Sequence, residues 1–159
     1  MAERLPSNFS WLIPDLIAGC GVPRSEDQLR ALEGLGITLL VSLSSEAQPP
    51  SAINSLQIRS LLVPIAISQG ASRSVLAGAV AHIQTEIASG GRVAVHCKGG
   101  NGRTGMVLAA FIMKSANMSA KKAISFVRSC RPQSIETNNE VESLKIFENI
   151  AWLSFKRGH

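Results

Sequence analysis

Residues 92–105 read RVAVHCKGGNGRTG, and this stretch decides how the chain folds. Its first part, residues 92–96, is short and mostly apolar, which is typical of a buried strand. The glycine-rich segment 97–105 follows at once, and apolar residues over 106–113 predict a helix after it. A strand, a tight loop and a helix in immediate succession form the repeating unit of an α/β domain with a parallel sheet.

Segments typical of strands and helices alternate around this unit. Apolar segments of strand length predict strands at 11–13 and 16–18, paired as an edge hairpin, and at 37–43, 57–63 and 92–96. Helical periodicity and end signals predict helices over 25–35, 72–89, 106–113, 119–130 and 138–155. We therefore predict one α/β domain over residues 1–159, with its core at about 8–155 and a central, mostly parallel sheet flanked by helices. Ligands of such sheets bind beyond the carboxyl ends of the strands, where the glycine-rich loop lies.

The charges of the chain are unevenly placed. It carries 16 Lys and Arg against 11 Asp and Glu, a net charge of +5. No acidic residue occurs between Glu46 and Glu86 or between Glu86 and Glu136. The second gap holds a row of cations: Arg92, Lys98, Arg103, Lys114, Lys121, Lys122, Arg128 and Arg131. We therefore expect a positive field centred on the 97–105 loop, although charge alone leaves nucleic acid, acidic lipid, a phosphorylated substrate and a merely solvated surface open.

Other global features exclude several classes of protein. Glu3, Arg4 and Pro6 stand where a signal peptide needs an apolar run, and no segment reaches the ~18 apolar residues of a membrane span. The cysteines are too few and too scattered for a disulfide framework or a zinc site; they are Cys20, Cys97 and Cys130. We expect a cytoplasmic protein with free thiols, with the nucleus as a second compartment.

The loop from Cys97 to Gly105 has the composition of an anion site. Its glycines let successive backbone N–H groups turn inward, and the start of the following helix adds favourable potential. Arg103, six positions after Cys97, can offer a planar fork to two oxygens of the same anion. A thiolate at Cys97 shares the stabilisation of this cradle and is placed as a nucleophile for in-line attack on phosphorus.

Three other interpretations explain less of this loop. A nucleotide-binding P-loop requires Gly-Lys-Ser/Thr, with a lysine where Arg103 stands, and has no use for a cysteine. The spacing of Gly100, Gly102 and Gly105 formally meets a dinucleotide fingerprint, but it leaves Cys97 and Arg103 unexplained. A buried core thiol at Cys97 leaves the glycines and the arginine without a reason.

The pattern His-Cys-x5-Arg-Thr, here residues 96–104, resembles the signature of the cysteine-dependent protein tyrosine phosphatases. Three further segments are similar to the small atypical dual-specificity phosphatases of that superfamily: NFSWLIPDLIAG from residue 8, GITLLVSLSSEAQPP from residue 36 and RPQSIET from residue 131. The resemblance runs from about Asn8 to about Phe147. It implies a phosphatase-like fold and hydrolysis of phosphate monoesters on proteins, with no metal or cofactor; we expect phosphotyrosine to be favoured, and phosphoserine and phosphothreonine stay open as further substrates.

The resemblance also implies roles for individual residues. Cys97 would form a phosphocysteine intermediate, and Arg103 would bind the phosphoryl group and stabilise its transition state. Thr104 would hydrogen-bond the sulfur and help it leave, and His96 would orient the loop. The backbone amides that would hold the non-bridging oxygens belong to Lys98, Gly99, Gly100, Asn101, Gly102 and Arg103.

The chain departs from the family pattern where family members carry an aspartate a few residues after a proline. Here residues 63–70 read VPIAISQG, so that Ile67, or Ile65 in the other alignment, stands in the place of the aspartate. No acidic residue occurs anywhere from 47 to 85. The residue that usually protonates the leaving oxygen is therefore absent.

Three hypotheses follow from this absence. Glu136, or with weaker support Glu46, supplies the proton from another part of the chain. Alternatively no acid operates, and turnover is slower and favours leaving groups of low pKa, since general acid catalysis contributes typically 10²–10⁴-fold. Thirdly, the protein binds phosphorylated ligands with negligible turnover.

The cations bear on the substrate. Lys98 directly after the nucleophile, together with those over 121–131, makes the region more basic than phosphotyrosine requires, so a phosphoinositide or an RNA 5′ phosphate stays open as an alternative. The chain has no Tyr, two Trp and five Phe, so platforms for base stacking are scarce and a nucleic-acid partner is disfavoured. We expect the partner to be a phosphorylated protein, bound as substrate. We expect this protein itself to be a monomer.

Overall fold

A computed structural model describes residues 4–157, and the surroundings of side chains up to residue 148. Five strands form one sheet: β1 (Ser10–Ile13), β2 (Ile17–Cys20), β3 (Leu39–Ser42), β4 (Arg59–Leu62) and β5 (Val93–His96). The described residues also form the helices α1 (Glu26–Gly34), α2 (Arg73–Ala88), α3 (Gly102–Ala116), α4 (Ala120–Cys130) and α5 (Asn138–Arg157). All predicted strands and helices are present, but α3 begins earlier than predicted, and an unpredicted 3₁₀ helix, Ser51–Ser55, precedes β4.

The strand order is β1-β2-β5-β3-β4. β1 and β2 pair antiparallel as an edge hairpin, and the other neighbouring strands pair parallel. The predicted α/β fold with a mostly parallel sheet is thus confirmed. Because β5 is the central strand, its carboxyl end at His96 opens in the middle of the sheet edge, where a ligand site is expected.

Successive side chains of β5 point to opposite faces of the sheet and enter two separate cores. Val93 and Val95 belong to the larger core, with residues from α2, α3, α4 and α5. Ala94 belongs to the smaller core, with residues from α1 and the 3₁₀ helix. The sheet therefore separates two layers, and β5 is covered on both faces.

α3 is the central helix of the larger layer. Every residue from Gly102 to Met113 is buried, and a helix that is apolar all round is one that is packed on all sides. This packing fixes the amino end of α3 directly after the Cys97 loop.

No helix within residues 4–157 combines the length and the apolar character that crossing a bilayer requires.

Glu86 connects α2 to the amino ends of β3 and β4, at the end of the strands opposite to Cys97. It lies near the end of α2, is 8% exposed, and its Oε2 accepts a hydrogen bond of 2.6 Å from Thr38 Oγ1, just before β3. Its Oε1 pairs with Arg59 at the start of β4. The Thr38 hydroxyl above all, and then Arg59, hold the pKa of Glu86 below its ordinary value, although burial acts in the opposite direction.

We expect Glu86→Gln to lower the free energy of unfolding by about 1–2 kcal/mol at neutral pH, because it weakens hydrogen bonds to a charged acceptor. The folded-state pKa is depressed, so this stabilisation is present above about pH 4.3, the ordinary pKa of an unfolded glutamate, and is lost as the pH falls through the folded value. Urea unfolding at several pH values measures it. The gap between wild type and variant should narrow in acid, and a gap that is constant with pH contradicts the assignment. Glu142→Gln, at an exposed glutamate, is the matched control.

Candidate active site

Cys97 lies in a pocket of about 380 Å³ at the carboxyl end of β5. Its side chain is only 3% exposed. Its Sγ accepts hydrogen bonds from the backbone N–H of Gly100, at 3.3 Å, and from the hydroxyl of Thr104, at 3.1 Å. These two hydrogen bonds fix the position of the sulfur at the base of the loop.

The carbonyl groups of residues 97–101 all accept hydrogen bonds from outside the loop. The donors are His96 Nδ1 to Cys97 O (2.9 Å), Val22 N to Lys98 O (3.0 Å), Asn8 Nδ2 to Gly99 O (3.1 Å), Arg131 Nη2 to Gly100 O (2.5 Å) and Ile135 N to Asn101 O (3.1 Å). In contrast, several loop N–H groups donate to no described residue: those of Lys98, Gly99, Asn101, Gly102 and Arg103. With the carbonyls fixed outside, these N–H groups form a concave cradle for an anion.

Gly100 cannot carry a side chain in this loop. Its φ is +82°, a region that favours glycine, and an added Cβ would lie 2.5 Å from the carbonyl carbon of Cys20. The close approach places the loop against the end of β2, next to β5.

His96 holds the first carbonyl of the loop. It is fully buried, with Nε2 2.5 Å from Ser42 Oγ and Nδ1 2.9 Å from the carbonyl of Cys97. Since a carbonyl only accepts, Nδ1 carries the proton and Nε2 accepts from the serine hydroxyl. Burial, the largest effect, lowers the pKa of His96, which favours the neutral ring. This geometry suits orientation of the loop rather than proton transfer.

Arg103 reaches the pocket from the first turn of α3 and is 5% exposed. Its Nη1 donates to the carbonyl of Ile65, at 3.0 Å, and lies 2.8 Å from Glu46 Oε1. No hydrogen bond to a described residue uses its Nε or Nη2, the pair of donors that forms a planar fork for an oxyanion.

Glu46 supports Arg103 from outside the pocket lining. Its own backbone N–H, and after it Arg103, lower the pKa of the Glu46 carboxyl. A carboxylate held in its ionised form is a poor proton donor near neutral pH. The arrangement therefore suits positioning of Arg103 and not the general-acid role considered for Glu46.

The position of the missing aspartate is clearer in the structure than in the sequence. Ile67 lines the pocket and is 55% exposed. Ile65 is 5% exposed and offers only its carbonyl, to Arg103. Of the two alignments, Ile67 thus occupies the pocket position.

Among residues 4–148, the carboxylates that line the pocket are those of Glu136 and Glu140. Both approach α3 closely: a methyl group at Gly102 would lie 2.9 Å from Glu136 Oε1 and 2.6 Å from Glu140 Oε2. Glu140 is 2% exposed, and its Oε1 accepts from the backbone N–H groups of Glu136 and Thr137, at 2.9 and 3.0 Å. Glu140 N in turn donates to Thr137 Oγ1, which completes a capping box at the start of α5.

Glu136 differs from Glu140 because it is exposed and accepts no side-chain hydrogen bond from a described residue. It follows Ile135, whose φ of +62° is unusual for a β-branched residue. The carbonyl of Ile135 accepts from Arg128 Nη2 at 2.7 Å, and its N–H bonds Asn101. This strained, tightly held turn places Glu136 at the pocket.

Arg131 was not expected to hold the loop. It is 3% exposed and donates to the carbonyls of Asn8 (3.0 Å), Gly19 (2.9 Å) and Gly100 (2.5 Å) and to Ser10 Oγ (2.7 Å). Burial lowers its pKa, and no carboxylate within residues 4–148 pairs with it. Its guanidinium thus connects the amino-terminal segment, the edge hairpin and the Cys97 loop.

The eight cations of the predicted row lie in different surroundings in the structure. Of its eight members, only Lys98 and Arg103 line the pocket. Arg131 is buried behind the loop, while Lys121 and Arg128 line a separate groove between α4 and α5. Arg24, from a distant segment and not predicted as a site residue, lines the pocket instead. Only for Glu140 did the sequence hold a usable signal, the Thr-x-x-Glu pattern of residues 137–140.

A known protein family matches most of this chain, and a curated protein matches part of it. The family model described as "PTP-SAK: Swiss Army Knife protein, DSP-PTPase phosphatase domain" matches residues 6–144. "Protein tyrosine phosphatase domain-containing protein 1" of Danio rerio is 46% identical over 57 residues, which are 36% of this chain and 8% of that protein. The chain thus matches only a small part of the length of this curated relative.

Solved structures match over nearly the whole fold. Tk-PTP in the active form has a TM-score of 0.82 and 26% identity, covering 89% of this chain and 97% of that one. PTPMT1 in complex with PI(5)P has a TM-score of 0.82 at 18% identity, covering 92% and 97%, and shows the same fold. The chain therefore belongs to the cysteine-dependent protein tyrosine phosphatase superfamily, as a small atypical dual-specificity phosphatase.

Proposed function

We propose that this chain hydrolyses phosphate monoesters on proteins, phosphotyrosine foremost, through a phosphocysteine intermediate at Cys97 and without a carboxylate on the 63–70 loop. One observation carries the proposal. The Cys97 sulfur sits at the base of a cradle whose N–H groups donate to no described residue, with the Arg103 fork beside it. Such a cradle is complementary to the three non-bridging oxygens of the phosphoryl group in the transition state of its transfer.

The reaction has two steps. The Cys97 thiolate attacks phosphorus in line, so that a sulfur–phosphorus bond forms while the bond to the leaving oxygen breaks and that oxygen takes up a proton. Water then attacks the phosphocysteine and gives a proton back to the carboxylate that donated one in the first step, inorganic phosphate leaves, and the sulfur departs as a thiolate. The Thr104 hydroxyl, 3.1 Å from Sγ, stabilises that thiolate.

Glu136 is the residue we assign as proton donor in the first step. In the described part of the chain the pocket is lined by its carboxylate and by that of Glu140, which is buried and already accepts two backbone N–H groups. Glu136 is exposed and is held at the rim by the turn at Ile135. A proton donor has to reach the leaving oxygen, which emerges from the cradle on the solvent side.

Ile67 supports an aryl phosphate as the preferred substrate. It is an exposed apolar side chain at the mouth of the pocket, where a phenol ring would extend from the cradle. An aryloxide also departs with less help from an acid than an alkoxide does. Both features favour phosphotyrosine over phosphoserine and phosphothreonine.

Steady-state hydrolysis of a substrate panel tests the proposal. We expect release of phosphate from p-nitrophenyl phosphate and phosphotyrosine peptides, with slower turnover of phosphothreonine peptides. Cys97→Ser should reduce kcat by roughly 10³-fold or more, because no other side chain replaces the nucleophile. A soluble phosphoinositide and an RNA 5′ phosphate complete the panel. Faster hydrolysis of either contradicts the protein substrate, and binding without Cys97-dependent turnover contradicts catalysis.

The assignment of Glu136 predicts a dependence on the leaving group. In Glu136→Gln, kcat for an alkyl phosphate should fall roughly 10²-fold, and kcat for p-nitrophenyl phosphate less than about tenfold. The decline of kcat towards high pH in the wild type should also disappear. Glu142→Gln, at an exposed glutamate on α5 that lies outside the pocket lining, is the matched control. An unchanged pH profile with equal losses for both substrates rules out the proton-donor role.

A further inference from the structure

Arg24 lies beside the phosphate cradle although it is far from it in sequence. It belongs to the connection between β2 and α1, and this connection is bonded to the loop, because Val22 N donates to the carbonyl of Lys98 at 3.0 Å. Gly21 N donates to the carbonyl of Ser7 at 2.7 Å, which ties the same connection to the amino-terminal segment. Arg24 and Lys98 are both exposed, and both line the pocket.

Neither cation is neutralised by a carboxylate in the described part of the chain. The ion pairs among these residues include neither Arg24 nor Lys98. The acidic residues nearest in sequence, Glu26 and Asp27, lie in the first turn of α1, where a helix end favours negative charge. Glu26 is also paired with Arg30 at 2.8 Å. The two cations thus add positive potential at the mouth of the pocket beyond that of the cradle.

The lining of the pocket is chemically mixed. Arg24 and Lys98 supply positive charge, whereas Ile67 is apolar and Glu136 carries a carboxylate. A phosphoinositide headgroup distributes anionic groups around its ring and would bring some of them near Glu136. A peptide can present a phosphotyrosine ring to Ile67 and an acidic neighbour to the cations alone.

We propose that Arg24 and Lys98 form a subsite for the carboxylate of an acidic residue next to the phosphotyrosine of a peptide substrate. The inference rests on the proposed function and narrows its substrate class to acidic phosphopeptides. It also gives Arg24, which the catalytic steps do not use, a role in selecting the substrate.

A pair of phosphotyrosine peptides tests the subsite. The acidic peptide carries glutamates next to the phosphotyrosine, and the neutral peptide carries glutamines at the same positions. The readout is the ratio of kcat/KM for the acidic peptide to that for the neutral one, measured within each enzyme. We expect a wild-type ratio of roughly five, the scale of one or two exposed ion pairs, and a decline towards one as salt is raised. Arg24→Gln and Lys98→Gln should each lower the ratio, and the double variant should bring it to about one. Lys114→Gln, an exposed cation outside the pocket lining, should keep the wild-type ratio.

Binding of the same peptides to the Cys97→Ser protein gives a readout that needs no turnover. The ratio of the two Kd values should fall in the same way when Arg24→Gln is added. A wild-type ratio near one, or an Arg24→Gln variant that weakens both peptides equally, overturns the subsite. A soluble phosphoinositide that is preferred to both peptides and depends on Arg24 overturns the peptide assignment. Hydrolysis of the neutral peptide with a ratio of one leaves the proposed function standing and removes only the subsite.

Discussion

The site depends on the outward bonding of five consecutive carbonyl groups, those of residues 97–101. Converging N–H dipoles repel one another in the absence of an anion, so a loop that turns them inward needs support from behind. Each supporting hydrogen bond contributes about 1 kcal/mol net, and five together are a substantial constraint on so short a segment. Their donors come from β5, the β2–α1 connection, the amino-terminal segment, the residue that follows α4 and the turn at Ile135. Segments from most of the length of the chain thus support this loop.

Arg131 is the most unusual of these supports, because it is a buried guanidinium that no carboxylate of residues 4–148 pairs with, and such burial is costly. Four neutral oxygens compensate it, and its charge lies behind a cradle built for negative charge. The same cation therefore shapes the loop and adds to its potential. On the other side of the pocket, Glu46 pairs with Nη1 of Arg103, while no described residue accepts a hydrogen bond from its Nε or Nη2.

The sequence predicted what is local and missed what is brought in from a distance. The signature from His96 to Thr104 is contiguous, so the strand, the glycine-rich loop, the cysteine and the arginine could all be placed from residue types and spacing. The partners of the loop are separated from it by long intervals: Arg131 by 31 positions from Gly100, and Asn8 by 91 from Gly99. No local pattern distinguishes a lysine or arginine that will be buried behind a loop from one that will face solvent. The row of cations was therefore assigned too broadly, and Arg24 was missed.

The proposed reaction requires that Cys97 itself receives the phosphoryl group. The protein mixed with an excess of an aryl phosphate, quenched in acid within milliseconds and digested, can be analysed by mass spectrometry for the peptide that contains residue 97. We expect a fraction of this peptide to carry the mass of one phosphoryl group on the cysteine, and we expect this mass increase to be absent in Cys97→Ser. Steady release of phosphate with the label on another side chain, such as His96, or with the Cys97→Ser protein equally active, would contradict it.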